Sequence, residues 1–119
     1  TAIRTTPWRM LFLEEASPVR HPEIVTIPDD AVMGADACPG APFCASASVE
    51  TRQLARALAP HVAGGLHVSG CAKGCARRAD AALTLVGRDG LFDIVRGGNA
   101  QTVPHRTGVR AETLLTEFT

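Results

Sequence analysis

The chain has 119 residues, twelve Lys and Arg balance twelve Asp and Glu, and 45% of the residues are hydrophobic. That is material for one domain with one real core, since domains take roughly 100–200 residues and a chain of this size buries about two-thirds of its unfolded surface. A net charge of zero excludes a whole-chain basic footprint for nucleic acid, and an aromatic content of 4%, with one Trp and no Tyr, removes the platforms that base stacking needs.

Ile3-Arg4-Thr5-Thr6 reads as a short strand, Pro7 as a break, and residues 8–13 as a second strand carrying Met10-Leu11-Phe12-Leu13. Trp8, directly after Pro7, is expected to pack in the core. Residues 16–31 hold Pro18, Pro22 and Pro28 and read as a connecting stretch with one short strand at 24–27. Pro39-Gly40-Ala41-Pro42 is a turn-rich loop, because two prolines remove donors and fix φ. The clearest helix spans 46–59, with Ser48 as its cap, Glu50 in its first turn, Leu54 and Leu58 on one face, Arg52 and Arg56 on another, and Pro60 as its stop. Gly64-Gly65 leads into a strand at 66–68. Residues 82–86 alternate as a strand, Arg88-Asp89-Gly90 turns, and 91–95 returns as a hairpin. Gly97-Gly98-Asn99 is a further turn and not a phosphate loop, and an amphipathic helix covers 110–118 with Leu114, Leu115 and Phe118 as its apolar side. There is no internal repeat, and no apolar run approaches the ~18–20 residues of a membrane span. The expected fold class is α+β or α/β, a mixed sheet with flanking helices.

Four cysteines, Cys38, Cys44, Cys71 and Cys75, form a Cys-x5-Cys pair, 26 intervening residues and a Cys-x3-Cys pair. Two tight pairs in a chain of cytoplasmic character read better as a metal or cluster site than as disulfides. Four thiolates complete either a tetrahedral zinc or an iron–sulfur cubane. A five-residue gap holding two prolines is wide for one small ion and suits a cube with its irons at separate corners, while zinc, free thiols and disulfides remain as alternatives. The helix after Cys44 is expected to turn its amino end toward that cysteine, where its dipole favours an anionic cluster. Gly70 and Gly74 flank the second pair, where the backbone has to approach closely.

Ser69-Gly70-Cys71-Ala72-Lys73-Gly74-Cys75, preceded by Cys38-Pro39-Gly40-Ala41-Pro42-Phe43-Cys44, resembles the nitrite/sulfite reductase family, whose paired motifs hold a [4Fe–4S] cluster beside a sirohaem. That pattern continues with an acidic, an apolar, a small and an apolar residue; Leu83-Thr84-Leu85 fit it, and Ala82 stands in the acidic place. Reductases carry Pro-Asn after the third cysteine, where this chain has Ala72-Lys73. Cys-Pro-Gly-Ala-Pro-x-Cys, Thr6-Pro7-Trp8-Arg9 and the run from His67 through Cys75 resemble the precorrin-3B synthase branch of the family. That branch uses dioxygen to hydroxylate precorrin-3A and close a lactone in aerobic cobalamin biosynthesis. The likeness covers most of the chain, beginning at Ile3, and Ile3-Arg4-Thr5-Thr6 resembles the strand that closes the family's ferredoxin-like module.

The resemblance implies that residues 1–15 end a ferredoxin-like module and that 16–119 form the cluster-binding domain, the C-terminal portion of a much longer, duplicated enzyme. The opening Thr1 in place of Met fits such a piece, which would be inactive alone. It implies Cys38, Cys44, Cys71 and Cys75 as ligands of a [4Fe–4S] cluster, with Cys75 nearest the tetrapyrrole. A polycarboxylate precorrin calls for Arg and Lys, and Arg4, Arg9, Lys73, Arg77 and Arg78 are the candidates. No catalytic residue is assigned. A mononuclear non-haem iron is expected outside this segment, and His21, His61, His67 and His105 read as ordinary structural or surface residues. The expected partners are the precorrin and the rest of the parent enzyme, with no nucleic acid and no membrane, in the cytoplasm. A sirohaem-dependent sulfite or nitrite reductase fragment is the rival enzyme. A non-catalytic iron–sulfur or zinc module is the rival of another class.

Overall fold

Alternation of side chains along three adjacent strands builds the sheet that carries the rest of the chain. The computed structural model describes residues 2–18 and 20–119; Thr1 and Val19, one in each of the two expected segments, lie outside the described residues. A ribbon of β1 (Ile3–Thr5) and β2 (Leu11–Leu13) pairs antiparallel and forms a sheet of its own. A second sheet has five strands, β3 (Ala35–Ala37), β4 (Leu66–Ser69), β5 (Ala81–Arg88), β6 (Leu91–Gly98) and β7 (Arg106–Val109), in sequential order. The first three of these run parallel to one another, and β6 and β7 complete the sheet antiparallel. The protein is therefore an α+β fold on a mixed sheet, as the sequence leads one to expect.

The hairpin between β5 and β6 turns on Asp89 and Gly90, both at positive φ (52° and 80°). Two such residues in a two-residue loop match the right-handed twist of the strands they join. Leu66, Val68, Leu83, Leu85, Phe92, Ile94 and Val109 occupy one face of the sheet. Helix α1 (Arg52–Leu58) covers that face with Leu54, Ala55 and Leu58, and α2 (Ala111–Phe118) covers it with Leu114. Arg96 at the margin of this face stacks over Phe118, 5.3 Å from the ring centre. The opposite face is also buried, and it is polar: His67, Ser69, Thr84 and Asp93 lie there with Val86 and Val95. Asp93 receives the guanidinium of Arg88 at 2.9 Å. Cross-strand register lines up Asp36, His67, Thr84 and Val95 in one row.

Several expected elements change on folding. The helix expected at 46–59 begins only at Arg52, because tertiary hydrogen bonds hold the preceding backbone outside the helical range. Ala41 N donates to Val49 O at 2.9 Å, Ser48 N donates to Gly70 O at 3.1 Å, and the Ser48 hydroxyl, expected as a cap, accepts from Gly90 N instead. Helix α1 is thus seven residues long, without a side-chain cap, and begins well beyond the residues that directly follow Cys44. No strand forms at 24–27 among the described residues, only a single bridge between His21 and Ile24. Trp8 is 69% exposed and does not pack in the core, because it sits at the tip of a two-stranded ribbon. Strands β3 and β7 and a 3₁₀ turn at Ala31–Gly34 were not expected. Among the described residues no helix is long and apolar enough to cross a membrane.

Gly87 on β5 is where the sheet meets the loops leaving β3 and β4. A Cβ there would fall against the Val49 side chain and within 2.5 Å of Gly70 O. Gly87→Ala is expected to cost about 1–3 kcal/mol through overpacking, read as a lowered midpoint in denaturant unfolding. An unchanged midpoint would show that the contact relaxes freely.

Candidate metal centre

Cys38 follows β3 directly, and Cys71 follows β4 after a single Gly70. The two strands are parallel neighbours, with Ala37 opposite Val68, so both loops leave the sheet at the same end. The long sequence separation between the early and late cysteines therefore closes in space. Gly70 N–H donates to Cys38 Sγ at 3.1 Å, Ser48 N donates to Gly70 O, and Lys73 Nζ reaches Ser46 Oγ at 3.2 Å. The Thr51 hydroxyl donates to Cys38 O, and the Ser69 hydroxyl donates to Cys71 O at 2.6 Å, so the carbonyls beside two of the sulfurs are fixed.

Close backbone approach makes this packing possible. A Cβ on Gly70 would sit 2.5 Å from Ala47 Cβ and 3.3 Å from Gly40 Cα. Gly40 itself has φ 67° and packs on Thr51. All four cysteines are free thiols, with Cys38, Cys44 and Cys71 half-buried and Cys75 exposed. Among the described residues no three His, Cys, Asp or Glu side chains are gathered as one metal ion requires.

The basic candidates divide between the two sheets. Arg4 pairs with Glu14 on the ribbon. Arg9, at the ribbon's tip and at φ 58°, crosses to the main sheet, where its Nη2 meets Asp36 Oδ1 at 2.8 Å. Arg77 Nη1 takes the other oxygen of Asp36 at 3.2 Å, and Arg77 Nε donates to the carbonyls of Ala79 and Asp80. Lys73 and Arg78 are exposed on the cysteine loop. Lys73, Arg77 and Arg78 thus lie on the late cysteine loop, Arg9 reaches β3 through Asp36, and Arg4 stays on the ribbon.

Asp36, unremarked in the sequence, is the hinge of this arrangement. Its burial opposes ionisation, but hydrogen bonds and charge from Arg9 and Arg77 outweigh that and hold its carboxyl below the usual carboxylate range. Its only sequence signal is its place one residue before the strand end that leads to Cys38. Asp36→Ala is expected to cost about 1–3 kcal/mol by leaving the part-buried Arg77 guanidinium without its carboxylate. Arg9→Ala, which removes one largely exposed partner, is expected to cost about 0.2–1 kcal/mol. Denaturant midpoints of the two variants check the order; equal losses would remove the central role of Asp36.

His67, which reads from sequence as an ordinary structural or surface residue, is the other residue of note. It is 0% exposed, and neither ring nitrogen has a hydrogen-bond partner. Burial pushes its pKa down, Asp36 pulls it partly back and Arg77 lowers it again, which favours the neutral ring. The other histidines are exposed on the surface, and two of them serve local turns: His105 Nδ1 accepts from Arg96 N and His21 Nδ1 accepts from Glu23 N. The signal for His67 was its position between Leu66 and Val68 in a strand buried on both faces.

The fold and the site define a mixed-sheet α+β domain that carries two pairs of free cysteines on loops from adjoining parallel strand ends. No family model matches the chain. A precorrin-3B synthase from a Sinorhizobium species is 44% identical to it over 73 residues, covering 56% of this chain. The chain spans only 16% of the length of that curated relative.

Proposed function

We propose that this chain is the C-terminal cluster-binding portion of an oxygen-dependent precorrin-3B synthase of the nitrite/sulfite reductase family. In this reading Cys38, Cys44, Cys71 and Cys75 hold a [4Fe–4S] cluster, residues 1–15 close a ferredoxin-like module and 16–119 form the cluster domain. The observation that carries it is the meeting of the two cysteine loops, with Gly70 N–H on Cys38 Sγ at 3.1 Å. Three features suit a cubane: a donor set of four free thiols, loops drawn close at Gly40 and Gly70, and a buried imidazole without a partner beside them. The likeness to a precorrin-3B synthase supports the substrate class, a tetrapyrrole of cobalamin biosynthesis.

When bound, the cluster supplies single-electron transfer. The polypeptide's own part is positioning. Backbone donors and Thr51 and Ser69 hydroxyls fix the cysteine loops, and Asp36 clamps Arg77 on the late loop and Arg9 on the ribbon. Lys73 and Arg78 present positive charge to substrate carboxylates from the exposed side of the loop, and the largely exposed guanidinium of Arg9 adds to it. Any mononuclear iron that meets dioxygen lies elsewhere in the parent enzyme, which works in the cytoplasm, where thiols stay reduced.

Metal and sulfide analysis of the parent protein, purified without air, tests this. Iron and acid-labile sulfide in equal amounts, about four of each per site, are expected, together with oxygen-dependent consumption of precorrin-3A. One zinc and no sulfide would sink the cluster, and a bound sirohaem would turn the assignment to the reductases.

A further inference from the structure

We propose that His67 is a positioning residue of the cysteine centre, donating its one ring N–H to a sulfur of the iron–sulfur group held there. This rests on the cluster reading above and adds to it a contact from the sheet side.

The geometry leaves the imidazole few other roles. Strand β4 points Leu66 and Val68 into the helix-covered core, and His67 to the opposite face. There the ring lies beneath the stretch between Cys71 and Cys75: the position of a Cβ on Gly74 falls 3.7 Å from His67 Cε1. Gly74, at φ 61°, also packs on Ala100, and Gln101 Nε2 donates to Ala72 O at 2.8 Å, so the 99–101 turn holds that stretch down over the ring. A neutral buried imidazole has one donor and one acceptor to satisfy.

No side chain in its row or on its strand reaches either ring nitrogen with a hydrogen bond. Asp36 is shared between Arg9 and Arg77. The Thr84 hydroxyl donates to Gly98 O, and the Ser69 hydroxyl donates to Cys71 O. The partner missing at both ring nitrogens is therefore not found in the surrounding side chains, and the stretch directly above belongs to the cysteine loop. Buried polar groups are rarely left unpaired, and an unpaired one next to a site points to what the site binds.

A hydrogen bond to cluster sulfur favours the reduced, more negative state, and so raises the midpoint potential. In the cluster-loaded parent protein, His67→Leu is expected to shift the reduced-to-oxidised ratio at fixed potential about tenfold toward oxidised, about 59 mV for one electron, with iron and sulfide contents held. His67→Gln keeps an N–H donor and is expected to restore much of the wild-type value. An unmoved potential in fully loaded His67→Leu, or equal shifts in both variants, would overturn the proposal. If His67→Leu does not load, wild-type protein carrying nitrogen-15-labelled histidine decides. A histidine nitrogen coupled to the reduced cluster, and lost in His67→Gln, supports the contact; no such coupling in wild type overturns it. Wild-type protein lacking iron and sulfide would remove the cluster reading, and this contact with it, whereas loaded protein with an indifferent potential removes only the role of His67.

Discussion

Cys71→Ser in the parent protein is expected to abolish the iron–sulfur centre, with visible absorption and acid-labile sulfide both falling to background. Cys71 sits at the joint of the two loops. Its carbonyl is fixed by the Ser69 hydroxyl, and the preceding Gly70 N–H is already on Cys38 Sγ. A serine oxygen there is a harder donor than sulfur and a poor match for iron–sulfur chemistry. The fold is expected to survive, because Cys71 is half-buried and outside the hydrophobic core. Far-ultraviolet circular dichroism therefore serves as the control. An unchanged visible spectrum in a folded variant would remove Cys71 from the ligand set.

The largest loss of stability from one core side chain is expected at Phe92. It is 2% exposed, lies opposite Gly87 on β5 and Val109 on β7, and packs among Leu54, Leu85 and Leu114 in the same core. Phe92→Ala is expected to cost about 3–5 kcal/mol, a large part of the ~5–15 kcal/mol that holds a typical domain together. Phe92 also lines a groove of about 550 Å³ with Val49, Leu54, Ala111 and Leu115. Neighbours at an open groove collapse more easily than in a sealed core, which places the loss at the lower end of that range. Urea unfolding of the variant measures it, and a loss below about 1 kcal/mol would show that Phe92 is not central to the core.

Much of this architecture is legible in residue order. The hairpin announces itself at 82–86 and 91–95 through alternation and the Asp89-Gly90 turn, although its strands run on to 88 and 98 through Gly97 and Gly98, which read as a turn; α2 shows through Leu114 and Phe118 on one side. Both cysteine pairs stand out by spacing, although only the pairing of β3 with β4 shows why they meet. The rest depends on tertiary contacts that leave no local pattern. Ser48 looks like a helix cap, yet its hydroxyl is taken by Gly90, 42 positions away. Ala-Asp-Ala has no hydrophobic period from which to infer β3. Trp8 looks like core, but a two-stranded ribbon offers no second layer to bury it. Asp36 and His67 matter through neighbours on other strands, which residue types alone do not reveal.

The single-row alignment of Asp36 with His67 makes registry a safeguard for chemistry as well as for packing. Were β4 to slip by one position along β3, every one of its side chains would exchange faces. The imidazole would enter the hydrocarbon interior, Leu66 and Val68 would be driven against charged groups, and Cys71 would be carried away from Cys38. A misthreaded chain would thus lose solvation balance and sulfur geometry together, so any molecule able to assemble its thiols has already passed a folding check.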